Sequence, residues 1–267
     1  MTRSVHYGVL SVGVATLSLL MACGSDTGSA ILLDEGVSWA LAERRAQTLS
    51  DIHYSYQLRV PQAVDAPLEG TLVAQFQWFD EEANDLVLDF KDPAARIGKL
   101  RVNGAPVAWE ATYDHVVIPA DALVPAARNQ VELEFVAGDD ALNRNEDFLY
   151  TLFVPDRAHF SLPLFDQPNL KARFTLTLDV PDGWVAVANG AVLDDTKPES
   201  TGSPAPEQGT TYRFAETEPI PTYLFAFAVG DFQIDTAERD GRLLRMFHRE
   251  TDTEKVARNR DAIFDLH

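Results

Sequence analysis

The sequence holds a single cysteine, Cys23, among 267 residues, and only 22 basic side chains against 41 acidic ones. One cysteine excludes an internal disulfide and any cysteine-built zinc cluster, so the folded part must be held by its apolar core. The length is sufficient for that, since domains of about 100–200 residues bury a core without staples. A formal charge of −19 argues against nucleic acid, whose phosphates need clustered Lys and Arg, so no nucleic-acid partner is expected. The acidity is spread along the chain and reads as a solubility feature. There is no Gly-rich phosphate loop and no Gly-x-Ser-x-Gly nucleophile elbow. The carboxylate pairs Glu81-Glu82 and Asp139-Asp140 lie in polar, turn-like contexts. Adjacency there does not make two carboxylates face each other across a cleft.

Long apolar runs are also missing. The run Val9–Leu20 is too short to span a bilayer as a helix. It comes after Arg3 and ends in Leu20-Met21-Ala22-Cys23-Gly24. This resembles a bacterial lipoprotein signal, in which cleavage precedes a cysteine that is then lipidated. The expectation is a signal with lipidated Cys23 over residues 1–23 and a tether over 24–35. The mature protein would be an exported lipoprotein, anchored to a membrane on its periplasmic or cell-surface side without spanning it.

Beyond the tether, one helix precedes a chain patterned for strands. Asp34–Asp51 shows helical spacing, with Val37, Leu41, Ala42 and Ala46 sharing one face and Glu43, Arg44 and Arg45 largely on the other. Ser38 is placed to cap that helix. Tyr54, Tyr56, Leu58 and Val60 then alternate with Ser55, Gln57 and Arg59, the period of a half-buried strand, and Pro61 ends the run. Further strands are expected at 70–79, 85–90, 97–102, 107–111, 115–118 and 130–136. A second group is expected at 172–180, 185–192, 210–214, 223–232 and 242–248. Asn103-Gly104 predicts a tight hairpin, and 194–209, with Pro198, Pro204 and Pro206, an exposed loop. Residues 253–266 predict a helix at the carboxyl end. Strands at this spacing without a strand–helix alternation predict an all-β fold, an antiparallel β-sandwich with an opening helix and a carboxyl-terminal helix.

Four blocks occur in order: Gly36-Val37-Ser38 through Ala46 and the strand after it, Leu142–Ala158, Pro163–Phe174, and Pro221–Phe227. The third reads P-L-F-D-Q-P-N-L-K-A-R-F and the fourth P-T-Y-L-F-A-F. Together they resemble the amino-terminal, saddle-like domain of the aminopeptidase N family of zinc metallopeptidases, and His248–Asp252 resembles its last strand before the catalytic domain. The resemblance implies a β-domain over 36–250 and the start of a catalytic domain over 251–267. In the Pro163–Phe174 block, Phe165 and Pro168 are expected to brace a turn, with Asp166 accepting backbone hydrogen bonds rather than performing chemistry.

That family's chemistry needs His-Glu-x-x-His on a helix, two imidazoles for zinc and a glutamate base. None of His6, His53, His115, His159, His248 and His267 stands in such a motif. The family's Gly-x-Met-Glu-Asn segment is absent too. No catalytic or metal-binding residue is therefore expected in this chain. Zinc and the peptide substrate would belong to a complete enzyme, with this chain inactive alone. Many animal members present a glutamine toward the substrate's amino group, and an ungapped comparison through Ala158 and Pro163 places Val154 there. Asp156 and Arg157 are polar candidates on the same segment, with mutual pairing or turn capping as their structural use. The competing expectation is a free-standing surface-binding lipoprotein domain without enzyme activity.

Overall fold

The computed structural model describes Met1 and residues 33–196 and 209–267. Cys23, most of the signal and tether, and 197–208 of the proline-containing loop lie outside the described residues. Chain order begins with helix α1 (Trp39–Thr48), capped as expected: the Ser38 hydroxyl accepts from the Leu41 amide at 3.2 Å. The buried face of α1 differs from expectation. Leu41 and Arg45 point inward and Ala46 is exposed. Residues four apart share a helix face, and Arg45 turns inward because a buried carboxylate waits for it.

The strands are β1 (Leu49–Arg59), β2 (Glu69–Trp78), β3 (Leu86–Asp89), β4 (Ile97–Val102), β5 (Ala105–Pro106), β6 (Glu110–Thr112), β7 (His115–Ile118) and β8 (Ala127–Val136). They continue as β9 (Leu142–Arg144), β10 (Phe148–Thr151), β11 (Ala172–Val180), β12 (Val185–Ala188), β13 (Val192–Thr196), β14 (Thr210–Phe214), β15 (Phe227–Gly230), β16 (Gln233–Arg239) and β17 (Arg242–His248). A single helical turn, α2 (Pro93–Arg96), precedes β4, and helix α3 (Thr253–Asp265) comes last.

Eight strands form one sheet in the order β13-β14-β11-β1-β2-β8-β4-β5. One inner pair, β11 and β1, is parallel, from Ile52 opposite Ala172 to Arg59 opposite Asp179. The other strand pairs among the described residues are antiparallel. Two smaller sheets, β3-β7-β6 and β12-β15-β10-β9, supply side chains to the same core, and β16-β17 is a separate hairpin. The period-2 pattern sends Tyr54, Tyr56, Leu72, Phe76, Leu133, Phe135, Phe174 and Leu176 of the large sheet into that core. There they join Leu88 and Ile118 from one small sheet and Leu149, Phe227 and Val229 from the other. The fold is the expected antiparallel-rich β architecture of layered sheets.

Local chemistry explains the turns. Asn103 and Gly104 have φ of 51° and 81°, the positive values a two-residue type I′ hairpin requires. Other expected strands are divided. Residues 185–192 split into β12 and β13, which join different sheets. Between them, a Cβ at Gly190 would lie 2.1 Å from the Ala215 carbonyl oxygen, so only glycine lets the two backbones pass. Residues 223–232 split into a 3-10 turn, Thr222–Leu224, and β15. Residues 107–111 are likewise no single strand, because β5 ends before them and β6 starts within them. Strands β9, β10 and β16 are additions to the expected set. Helix α3 forms where predicted, its Asp252 cap accepting from the Glu254 and Lys255 amides at 3.1 Å each.

Two substitutions probe this packing. A Cβ at Gly70 would meet the Phe135 ring at 2.6 Å and Leu58 at 2.8 Å. Gly70→Val is expected to destabilise by about 1–3 kcal/mol through overpacking. Ser38→Ala, by removing a helix cap, should cost roughly 1 kcal/mol. Urea unfolding curves with an unchanged slope check both.

Candidate substrate-facing segment and its support

The segment that could face a substrate leaves β10 and returns at Ala158. Phe153 is buried, Val154, Pro155 and Asp156 turn outward, and Ala158 and His159 are buried again. The Arg157 amide closes this excursion by donating to the Phe153 carbonyl at 2.9 Å. Val154 is 65% exposed, an apolar side chain with no group to offer an ammonium. Asp156 is exposed beside it. Arg157 does not turn toward Asp156. Its guanidinium donates to the Asp140 carbonyl and lies 5.5 Å from the centre of the Phe160 ring. Lys91 covers the same ring at 4.7 Å and pairs with the Asp140 carboxylate at 2.8 Å. Their hydrogen bond raises the Lys91 ammonium and lowers the Asp140 carboxyl.

Behind the segment lies a network of buried polar groups. Asp166 receives three hydrogen bonds: the His159 amide at 3.0 Å and the His159 Nδ1 at 2.7 Å on one oxygen, the Thr222 hydroxyl at 2.6 Å on the other. The aspartate of the Pro163–Phe174 block thus holds the threonine of the Pro221–Phe227 block. Two phenols from β1 fix the backbone nearby. The Tyr54 oxygen accepts from the Phe165 amide at 2.9 Å, and the Tyr56 hydroxyl donates to the Pro163 carbonyl at 2.8 Å. Burial pushes both phenols up and keeps them neutral. Phe165 is buried as expected, with the Arg45 guanidinium 5.4 Å from its ring centre, whereas Pro168 is exposed.

The Asp166 amide in turn donates to Asp89 at 2.8 Å. Asp89 also takes two hydrogen bonds from Arg45, at 2.6 and 2.8 Å, and lies 2.9 Å from His115 Nδ1. The same guanidinium donates to the Val87 carbonyl at 2.7 Å. Burial pushes the Asp89 carboxyl up, but the Arg45 charge and the His115 hydrogen bond outweigh it and hold the group well below the usual carboxylate range. Its stabilising effect is therefore complete above the ordinary carboxyl range and is lost only as pH falls through the depressed value. Sequence reasoning misses this Arg45–Asp89–His115 cluster. Its traces are an aspartate inside the apolar run Leu86-Val87-Leu88-Asp89-Phe90, a histidine opening His115-Val116-Val117-Ile118, and an arginine four residues after Leu41.

These residues do not fit zinc. A guanidinium already stands 2.6 Å from Asp89, and both Asp166 oxygens accept protein hydrogen bonds. Among the described residues no three His, Cys, Asp or Glu side chains are arranged to hold a metal ion. A cavity of about 410 Å³ on the outer face of the large sheet is lined by Gln57, Arg59, Glu69, Glu134 and Asp179. Its charges are met by neighbours, Arg59 by Glu69 and Asp179 by Thr211 and Gln57.

Residues 52–224, which include Asp89, His115 and the Asp166 cluster but not Arg45, match the Peptidase M1 N-terminal domain. The chain belongs to this family. As an M1 amino-terminal domain it is 26% identical over 183 residues to Leucine aminopeptidase 2 of Aspergillus fumigatus, covering 61% of this chain and 28% of the relative. It is 30% identical over 169 residues to human Aminopeptidase Q, covering 58% of this chain and 17% of the relative. It is 32% identical over 128 residues to Aminopeptidase N of Streptomyces lividans, covering 46% of this chain and 13% of the relative. The fold resembles the solved M1 zinc metallopeptidase of Deinococcus radiodurans, with a TM-score of 0.59, 21% identity, and 79% of this chain and 52% of that one covered. The M1 domain matched here thus spans under a third of these curated relatives.

In this M1 domain the F-D-Q-P block is architectural, and its removal should show as lost stability. Asp166→Ala strands the His159 amide, its ring N–H and the Thr222 hydroxyl in a buried site. At about 1–3 kcal/mol for each unsatisfied group, the expected loss is roughly 3 kcal/mol or more. Val154→Gln, at the surface, should stay within about 0.5 kcal/mol of the parent. Chemical denaturation of both variants checks the contrast.

Proposed function

We propose that this chain is the amino-terminal β-domain of an exported, lipid-anchored zinc aminopeptidase that removes residues from peptide amino termini. The observation that carries the reading is the family match over residues 52–224, which runs through the motif blocks that meet at Asp166. The relatives it matches are named as aminopeptidases. The 267 residues contain no His-Glu-x-x-His, and in this reading the zinc ligands and the glutamate base would be supplied by a separate catalytic domain. Zinc would supply an activated water for attack on the first peptide bond. The role of this chain is to stand beside the catalytic domain and wall its cleft with the segment around Val154, Asp156 and Arg157.

Exposed apolar side chains support a further domain packed here. Leu152 and Val154, on the segment leaving β10, are 45 and 65% exposed, apolar side chains available to pack against such a domain. With an apolar Val154, recognition of the substrate's ammonium falls to acidic groups of the catalytic domain. Cys23, directly after Leu20-Met21-Ala22, supports a lipid anchor on the periplasmic or cell-surface side.

The purified chain, supplied with zinc, should not hydrolyse aminoacyl-4-nitroanilides above background. Turnover that co-purifies with the chain and disappears with a chelator would overturn the reading. In cells fed radiolabelled palmitate, the full chain should take up label and the Cys23→Ala variant should not. Equal labelling of the two would remove the lipid anchor from the account.

A further inference from the structure

His115 is 1% exposed, and acceptors face both of its ring nitrogens. Nδ1 lies 2.9 Å from an Asp89 oxygen, while Nε2 lies 3.0 Å from the Asp34 carbonyl and 3.1 Å from the Gly36 carbonyl. A neutral imidazole has one N–H and one lone pair. It would aim that lone pair either at a carboxylate or at two carbonyl oxygens. Only the imidazolium donates on both sides. The segment is shaped for this contact: Gly36 has φ +73°, and a Cβ there would meet nothing within 4 Å. Glycine is thus required by the left-handed turn that brings the two carbonyls to one N–H, and not by crowding.

We infer that protonated His115 is a latch that fastens residues 34–36, the segment leading into α1, to β7, and that loss of the ring proton releases this segment. The charged groups around the ring come from each neighbouring element. Asp89 on β3 faces Nδ1, and Arg45 on α1 stands on the far side of Asp89. Asp34 and Glu35 belong to the latched segment, where the Asp34 carboxylate accepts from the Glu35 amide at 2.8 Å. Asp114 precedes the ring in the chain. Burial works against a charged ring, but the hydrogen bond and charge of Asp89 prevail, and the His115 pKa is raised.

The released ring keeps Asp89 but loses the backbone acceptor at Asp34 that also favours its charged form, so the latched ring titrates above the released one. The latch therefore contributes fully below the pKa of the released ring and is lost as pH rises through that of the latched ring. Between the two values its opening constant rises with pH, by at most about tenfold per unit. Release leaves the core in place, because Arg45 and the Asp166 amide still hold Asp89. The inference is independent of the proposed aminopeptidase role.

Nuclear magnetic resonance of the full chain tests it from mildly acidic to alkaline pH. Long-range proton–nitrogen spectra should show both His115 ring nitrogens protonated on the acid side. Order parameters of Glu35 and Gly36 should drop from about 0.85 to below roughly 0.6 across the ring's own titration, while those of Leu88 and Ile118 stay constant. His115→Asn should leave the segment mobile at every pH. If that variant does not fold, the parent chain alone decides. A His115 ring with one proton on the acid side, or a segment whose order does not track the ring's titration, overturns the latch.

Discussion

The buried contact between Arg45 and Asp89 is the polar junction on which the rest of the domain is arranged. The guanidinium comes from the opening helix and the carboxylate from β3. Through Asp89 the pair also reaches His115 on β7 and the amide of Asp166. Burying two charges costs several kcal/mol each, so such a pair contributes little net stability compared with an apolar replacement. What it contributes is placement. A carboxylate with four donors around it admits one position of the helix, one of β7 and one of the block that begins at Pro163.

The rest of the interior is arranged around that block. Tyr54 and Tyr56, two residues apart on β1 and therefore on one face, reach across the core to hold the backbone at Phe165 and Pro163. Asp166 then ties His159 to Thr222, so the return of the Val154 segment and the approach to β15 share one anchor. Aromatic packing fills the space between these polar contacts. Phe174 stacks on Phe225 with 4.4 Å between ring centres, and the edge of one ring meets the face of the other for Phe76 and Phe165 at 5.8 Å. The exposed Val154 segment is thus carried on a base fixed by buried hydrogen bonds.

Much of this is legible in the sequence, for identifiable reasons. Strands with one wet and one dry face announce themselves by alternation, and β1, β2, β7, β11 and β14 lie where the alternation puts them. Ser38 and Asn103-Gly104 act through bonds to near neighbours, so their roles can be read locally. The features that escape have the opposite property. Arg45 reads as solvent-facing because its partner is 44 positions away in the chain. The parallel pairing of β1 with β11 joins segments more than a hundred residues apart, and alternation carries no information about strand direction. Residues 185–192 look like one strand because the constraint that divides them, the Ala215 backbone against Gly190, comes from a distant segment. The candidate segment is found by resemblance, while the polar network behind it consists of single residues inside apolar runs.

A double-mutant cycle on Arg45 and Asp89 tests most directly whether this pair organises the domain. Arg45→Met and Asp89→Leu should each destabilise by about 3–5 kcal/mol, since each leaves a buried charge or buried donors without a partner. The double variant should be more stable than the sum of the singles predicts by about 2 kcal/mol or more, as residues in one buried network do not act independently. Additive losses, within about 0.5 kcal/mol, would show that the two residues act separately and would contradict the account.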